Sequence, residues 1–175
     1  GVFRRLPSAR SDAASKALES GRRGVDRAGG NPSDSMTSTI LTGIITVSDR
    51  ASQGHYEDLG GPALKEAAQG HGWEVAAEVI VPDDLERIQQ AVLALEAQGC
   101  GLILTTGGTG IAERDVTPEA LRGIMRVEIP GFGEVMRMRS LASTPNAILS
   151  RCLAAVVGRS LVIALPGKPA GAVEC

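Results

Sequence analysis

Aromatic residues are almost missing from this chain: one Trp, one Tyr and two Phe in 175 residues. So few rings leave no row of stacking platforms for a single-stranded nucleic acid. Long hydrophobic runs are missing as well, and none approaches the roughly 20 residues that cross a bilayer as a helix, so no membrane role is expected. Cysteine is scarce. Cys100, Cys152 and Cys175 are odd in number and form no C-x-x-C pair, so they read as structural thiols of a reducing compartment, with the cytoplasm the expected location. A large net charge is also absent, the formal value being −2. That balance conceals an asymmetry: seven Lys or Arg against four Asp or Glu precede Met36, net +3, and eleven against sixteen follow from Met36 on, net −5. An acidic globular part is not built for a polyanion. Any phosphate must be recognised locally, through loop amides, a few Arg or Lys, or a divalent cation.

What is present suffices for one domain, since 43% hydrophobic content over this length can bury a single substantial core. Residues 1–36 are rich in Arg, Ser, Ala and Gly without apolar periodicity, and they read as a disordered N-terminal extension. They carry no apolar core of a signal peptide, and Met36, just before the first ordered-looking segment, reads as the native start. The domain is expected over residues 37–175.

Within it, apolar runs at 40–47, 73–81 and 102–105 predict strands, and 152–157 with 161–165 predict a hairpin or adjacent strands about Gly158-Arg159-Ser160. Helical spacing predicts helices near 58–70 and from 85 to Gly99, the second capped by Asp83 or Asp84. Thr117-Pro118 predicts another start, with Thr117 as the cap, and a further helix over 132–141 places Phe132, Val135 and Met136 on one face. Strands alternating with helices predict an α/β, three-layer fold: a mostly parallel sheet with helices on both faces.

The most distinctive stretch is LILTTGGTGIAERDVTPE, 102–119. A buried strand runs into Gly107, Gly108 and Gly110, where missing Cβ atoms let a ligand approach the backbone, and the hydroxyls of Thr105, Thr106 and Thr109 with nearby amides offer an anion a cradle. Two nucleotide motifs fail here. A P-loop needs Lys-Ser or Lys-Thr where Ile111 and Ala112 stand, and a dinucleotide fingerprint needs a third glycine at Glu113. Other polar clusters also fall at predicted carboxyl ends of strands, where ligands sit in such sheets: Ser48-Asp49-Arg50, Pro82-Asp83-Asp84 and Pro166-Gly167-Lys168-Pro169.

Taken in order, VSDR, VPDD, TTGGTG followed by RDVTPEA, IPGFGE and LPGKP resemble the MoaB/Mog family of molybdenum cofactor biosynthesis proteins, most closely its molybdopterin adenylyltransferases. The resemblance implies transfer of AMP from Mg-ATP to the phosphate of molybdopterin, a homotrimer, and delivery of the product to a molybdenum-inserting transferase. It assigns Asp83 and Asp115 as functional carboxylates suited to magnesium. Backbone at Thr106, Gly107, Gly108, Thr109 and Gly110 would hold phosphate, with Ser48, Asp49, Arg50, Arg114, Glu134, Pro166, Gly167, Lys168 and Pro169 as further substrate contacts. The chain stops at Glu174-Cys175, where family members continue, so the resemblance implies a fragment. Two other readings stay open: a non-catalytic pterin-binding module, and a CinA-like enzyme on the same domain.

Overall fold

The computed structural model describes residues 39–55 and 57–175. The extension expected over residues 1–36 lies outside them.

Six strands form one sheet in the order β2-β1-β3-β6-β5-β4: β1 Leu41–Val47, β2 Glu74–Val81, β3 Leu102–Thr106, β4 Val127–Glu128, β5 Leu153–Val157 and β6 Ser160–Leu165. β2, β1, β3 and β6 run parallel, while β5 is antiparallel to both of its neighbours. The expected hairpin is β5-β6. Its turn is made by Gly158, at a positive φ of 53°, and Arg159.

Side chains alternate along each strand, so the sheet buries two separate cores. Ile45 and Val47 of β1, Ile103 of β3 and Val162 and Ala164 of β6 meet α3 (Leu85–Ala97) and α4 (Thr117–Ile124) through Ile88, Val92, Leu95, Ala120 and Leu121. On the opposite face Ile44, Leu102, Leu104 and Leu165 meet Leu64 of α2 (Gly60–Gly70), Met136 of α5 (Pro130–Ser140) and Ala172 of α6 (Pro169–Glu174). The expected three layers are therefore present. Truncating a fully buried side chain such as Ile103 would cost about 2–5 kcal/mol.

The expected face and start of α5 need correction, and the cap of α3 is narrowed. On α5 only Met136 of the predicted trio faces inward, while Phe132 and Val135 are exposed. The buried face is instead Gly133, Met136 and Ser140, because a Cβ at Gly133 would sit 2.6 Å from the Cys152 carbonyl oxygen and the helix must lie close to the sheet there. The helix begins at Pro130, two residues earlier than expected, its ring suiting the first turn. Asp84 alone caps α3, accepting from the Arg87 N–H at 2.9 Å.

Chain direction reverses between β1 and β3: α2 leads from β1 to β2 on one side, and α3 leads back across β1 to β3. A crevice opens at the carboxyl ends of strands flanking such a reversal.

Candidate functional site

A cavity of about 230 Å³ occupies that crevice, lined by the ends of β1 (Thr46, Val47, Ser48) and β3 (Thr106, Gly107), by Asp58 to Gly60 at the start of α2, and by Gly167 and Pro169 after β6. Its acidic wall is Asp58. That carboxylate accepts from the Gly60 and Gly61 N–H groups at 2.9 and 3.1 Å and from the Thr46 hydroxyl at 2.7 Å. The N-terminus of α2 is thereby filled from within the chain, and no external anion is needed to satisfy it.

The loop after β3 is built for the opposite charge. Gly107 and Gly108 take positive φ values of 105° and 62°, a backbone that side chains rarely adopt. Its carbonyl oxygens are tied to the protein one after another. The Gly107 oxygen accepts from the Thr117 hydroxyl at 2.9 Å, Gly108 from the Thr117 N–H at 3.1 Å, Thr109 from the Arg151 N–H at 2.9 Å, and Gly110 from Arg151 Nε at 2.6 Å. The amides of Gly108, Thr109, Gly110 and Ile111 have no partner among the described residues. A run of free N–H groups with the matching carbonyls held away is an arrangement that can cradle an anion.

The hydroxyls expected in that cradle turn inward instead. Thr106 donates to the Pro166 oxygen at 2.8 Å, Thr109 to the Leu165 oxygen at 3.4 Å, and Thr105 Oγ1 is buried without a partner among the described residues. Carbonyls at the end of β6 need donors, and the threonines supply them. The Gly107 N–H goes to the same strand end, at 3.3 Å from the Leu165 oxygen. Thr117 begins α4 without capping it; its buried hydroxyl serves the glycine loop.

The carboxylates flank this loop. Asp83 Oδ1 lies 3.2 Å from where a Cβ on Gly108 would be, and Asp115 Oδ2 lies 2.6 Å from that of Gly110. Asp49 and Asp83 clasp each other's backbone, each carboxylate accepting the other's N–H at 2.9 Å. Arg114 Nη2 sits 2.9 Å from Asp49 and 3.6 Å from Asp83, so one cation offsets two adjacent negative charges. Asp115 holds its own turn by accepting from the Ala112 N–H at 2.9 Å.

Several expected residues stand apart. Ser48 lines the cavity but also caps the short helix α1 (Asp49–Ser52), accepting from Ala51 N–H at 3.3 Å. Arg50, Glu134 and Lys168 are exposed, with no side-chain bond among the described residues, and none lines the cavity. Gly167 packs against Gly107, leaving 3.3 Å for a Cβ, and Pro166 contributes its carbonyl. Sequence reasoning missed Asp58, although an Asp just ahead of Gly60-Gly61-Pro62 is a helix-start signal. It also missed Arg151, for which 41 residues of separation from Gly110 left no local signal.

The profile of the MoCF_biosynth family, a probable molybdopterin binding domain, matches residues 43–175. The chain belongs to this family. Among relatives of the MoCF_biosynth domain, molybdopterin adenylyltransferase from Helicobacter pylori strain J99 is 45% identical over 141 residues, covering 78% of this chain and 80% of that one. The enzyme of the same name from Escherichia coli K12 is 44% identical over 135 residues, covering 75% and 69%. The crystal structure of the molybdopterin biosynthesis enzyme MoaB from Thermus thermophilus superposes with a TM-score of 0.73 at 45% identity, covering 78% of this chain and 86% of that one.

Proposed function

We propose that this chain carries the catalytic domain of a molybdopterin adenylyltransferase, over residues 37–175. An oxygen of the molybdopterin phosphate attacks the α-phosphorus of ATP, and the bond to the β-phosphate breaks. Adenylylated molybdopterin and pyrophosphate result. The observation that carries this reading is the glycine loop with its carbonyls held and its amides free, beside a cavity at the strand reversal.

The chemistry asks for what these residues offer. Two anions must be brought together in line, so catalysis rests on positioning and charge stabilisation and needs no covalent nucleophile. The amides of residues 108–111 hold phosphate oxygens, and Arg114 adds a guanidinium at the loop's far end. Asp58 cannot hold phosphate; its carboxylate suits the N–H-rich edge of a pterin. The cavity beside it would then take the pterin, with the reacting phosphate toward Gly107 and Gly108.

Magnesium fits the donor set. No group of three or more metal-binding side chains gathers among the described residues. Asp83, paired with Asp49, lies beside Gly108 and Asp115 beside Gly110, which suits an ion that takes one or two carboxylates and completes its shell with phosphate oxygens and water. When bound, it would neutralise charge on the triphosphate. Asp83 and Asp115 would hold it.

Homotrimeric assembly, delivery of product to a molybdenum-inserting transferase and a cytoplasmic location belong to the same proposal. Apolar side chains exposed along α5 and at its C-cap, namely Phe132, Val135 and Met138 with Leu141, support an assembly face. No helix among the described residues is long and apolar enough to cross a membrane. The test is pyrophosphate release from Mg-ATP, dependent on molybdopterin, with Asp115→Ala as the comparison. Turnover by Asp115→Ala at the unsubstituted rate would refute the role of Asp115. Pterin binding without turnover would favour the binding-only reading.

A further inference from the structure

We infer that Arg151 is a positioning residue that aims the second half of the glycine loop at the nucleotide's phosphates. The inference rests on the adenylyltransferase reading for the identity of the ligand.

A peptide unit is planar and trans, so its C=O and the N–H of the next residue point in opposite directions. Holding a carbonyl therefore aims the following amide. In this loop the work is divided between two residues. Thr117 holds the carbonyls of Gly107 and Gly108, which aims the amides of Gly108 and Thr109. Arg151 holds the carbonyls of Thr109, through its backbone N–H at 2.9 Å, and of Gly110, through Nε at 2.6 Å, which aims the amides of Gly110 and Ile111. The same guanidinium donates through Nη2 to the Asp115 carbonyl and through Nη1 to the Glu119 carboxylate. One side chain thus spans the loop from Gly110 to Glu119 and fixes both ends of the turn that carries Arg114 and Asp115.

Only arginine can do this. Its donors form a rigid planar fork that reaches several acceptors at once, whereas a lysine ammonium is a point charge that could keep Glu119 and at most one carbonyl. Water can replace a guanidinium as a hydrogen-bond donor to those carbonyls, but it does not fix the direction of the peptide plane.

The experiment compares the unsubstituted chain with Arg151→Gln, Arg151→Lys and Glu119→Gln. ATP binding in the presence of magnesium is measured by calorimetry, KM is determined for each substrate, and thermal unfolding serves as the control. Arg151→Gln and Arg151→Lys are expected to weaken ATP binding about 10- to 100-fold, the loss of one or two charge-assisted bonds' worth of orientation. The KM for molybdopterin should stay within about twofold. Arg151→Lys, which retains the charge, should not rescue. Glu119→Gln, which spares both carbonyl bonds, should bind ATP within about threefold of the unsubstituted chain. Hydrogen exchange adds a local readout: ATP should protect the Ile111 amide in the unsubstituted chain and not in Arg151→Gln, while the Gly110 amide, aimed through the backbone N–H of residue 151, should be protected in both. Normal ATP affinity in either Arg151 variant overturns the inference, as does a tenfold loss in Glu119→Gln. If the unsubstituted chain binds no ATP, the nucleotide reading fails and the inference with it.

Discussion

Gly107 and Gly110 stand three residues apart in one loop, yet replacing each by alanine should break different things. At Gly107 the backbone has φ 105°, and a methyl group would lie 2.2 Å from the Val47 carbonyl oxygen. Both obstacles are main chain, and Val47 belongs to a buried strand that cannot move aside. Strain of about 1–3 kcal/mol for the backbone and a similar amount for overpacking put Gly107→Ala at roughly 2–6 kcal/mol, a large part of a typical domain's stability. At Gly110 φ is not positive, and the only obstacle is Asp115 Oδ2, 2.6 Å from the new methyl. The carboxylate can rotate, giving up its bond to the Ala112 N–H. That bond is solvent-exposed, so the cost is about 0.5–1.5 kcal/mol, a lowering of the melting temperature by a few degrees. Asp115 would nevertheless leave its place beside the loop. Gly110→Ala should therefore remain folded and lose at least about tenfold in kcat, while Gly107→Ala should be visibly destabilised. Thermal unfolding by circular dichroism and pyrophosphate release measure the two effects. A Gly107→Ala protein as stable as the unsubstituted chain, or a Gly110→Ala protein with full activity, would refute the reasoning.

Thr117→Val keeps the shape of a buried side chain but strips the Gly107 carbonyl of its donor, and should cost about 1–3 kcal/mol in denaturant unfolding; an unchanged midpoint would show that water replaces the hydroxyl. Asp58→Asn retains the acceptor for the Gly60 and Gly61 amides and removes the charge. It should raise the KM for molybdopterin about tenfold and leave ATP binding within twofold, and the reverse pattern would contradict the placing of the pterin. Burial pushes the thiols of Cys100 and Cys152 above their ordinary range, and for Cys152 this outweighs the lowering effect of its bonds with Ser150 and Thr109. Both should stay protonated near neutral pH and resist alkylation, so peptide mapping should find the partly exposed Cys175 labelled first. Equal labelling of Cys152 would count against its burial.

The strands that place the site were legible because their signal is local. β1 and β3 are short apolar runs ended by polar or glycine residues, and β5-β6 is marked by Gly158-Arg159. α5 misled for a physical reason: its buried face is made of small residues that let the helix approach β5, which leaves larger apolar side chains outside. β4, with two residues, and α1, with four, are too short to carry any periodicity. In the site, the glycine loop and the carboxylates at strand ends could be found by residue type and position. Asp83 and Asp84 could not be told apart, because either could cap α3; the fold gives the cap to Asp84 and turns Asp83 toward Asp49. The threonines of TTGGTG looked like ligand donors until β6 supplied carbonyls for them to satisfy. Arg151 was invisible because its partners at residues 110, 115 and 119 come near only once β5 is laid into the sheet.

The central claim is AMP transfer at this loop. It is tested most directly by incubating the chain with Mg-ATP labelled at the α-phosphate and with molybdopterin, and following label into the pterin by chromatography and mass. The account predicts adenylylated molybdopterin and pyrophosphate in equal amounts, none without molybdopterin, and at least a tenfold slower reaction with Asp115→Ala. Molybdopterin that binds and is recovered unlabelled, with no pyrophosphate formed, would contradict it.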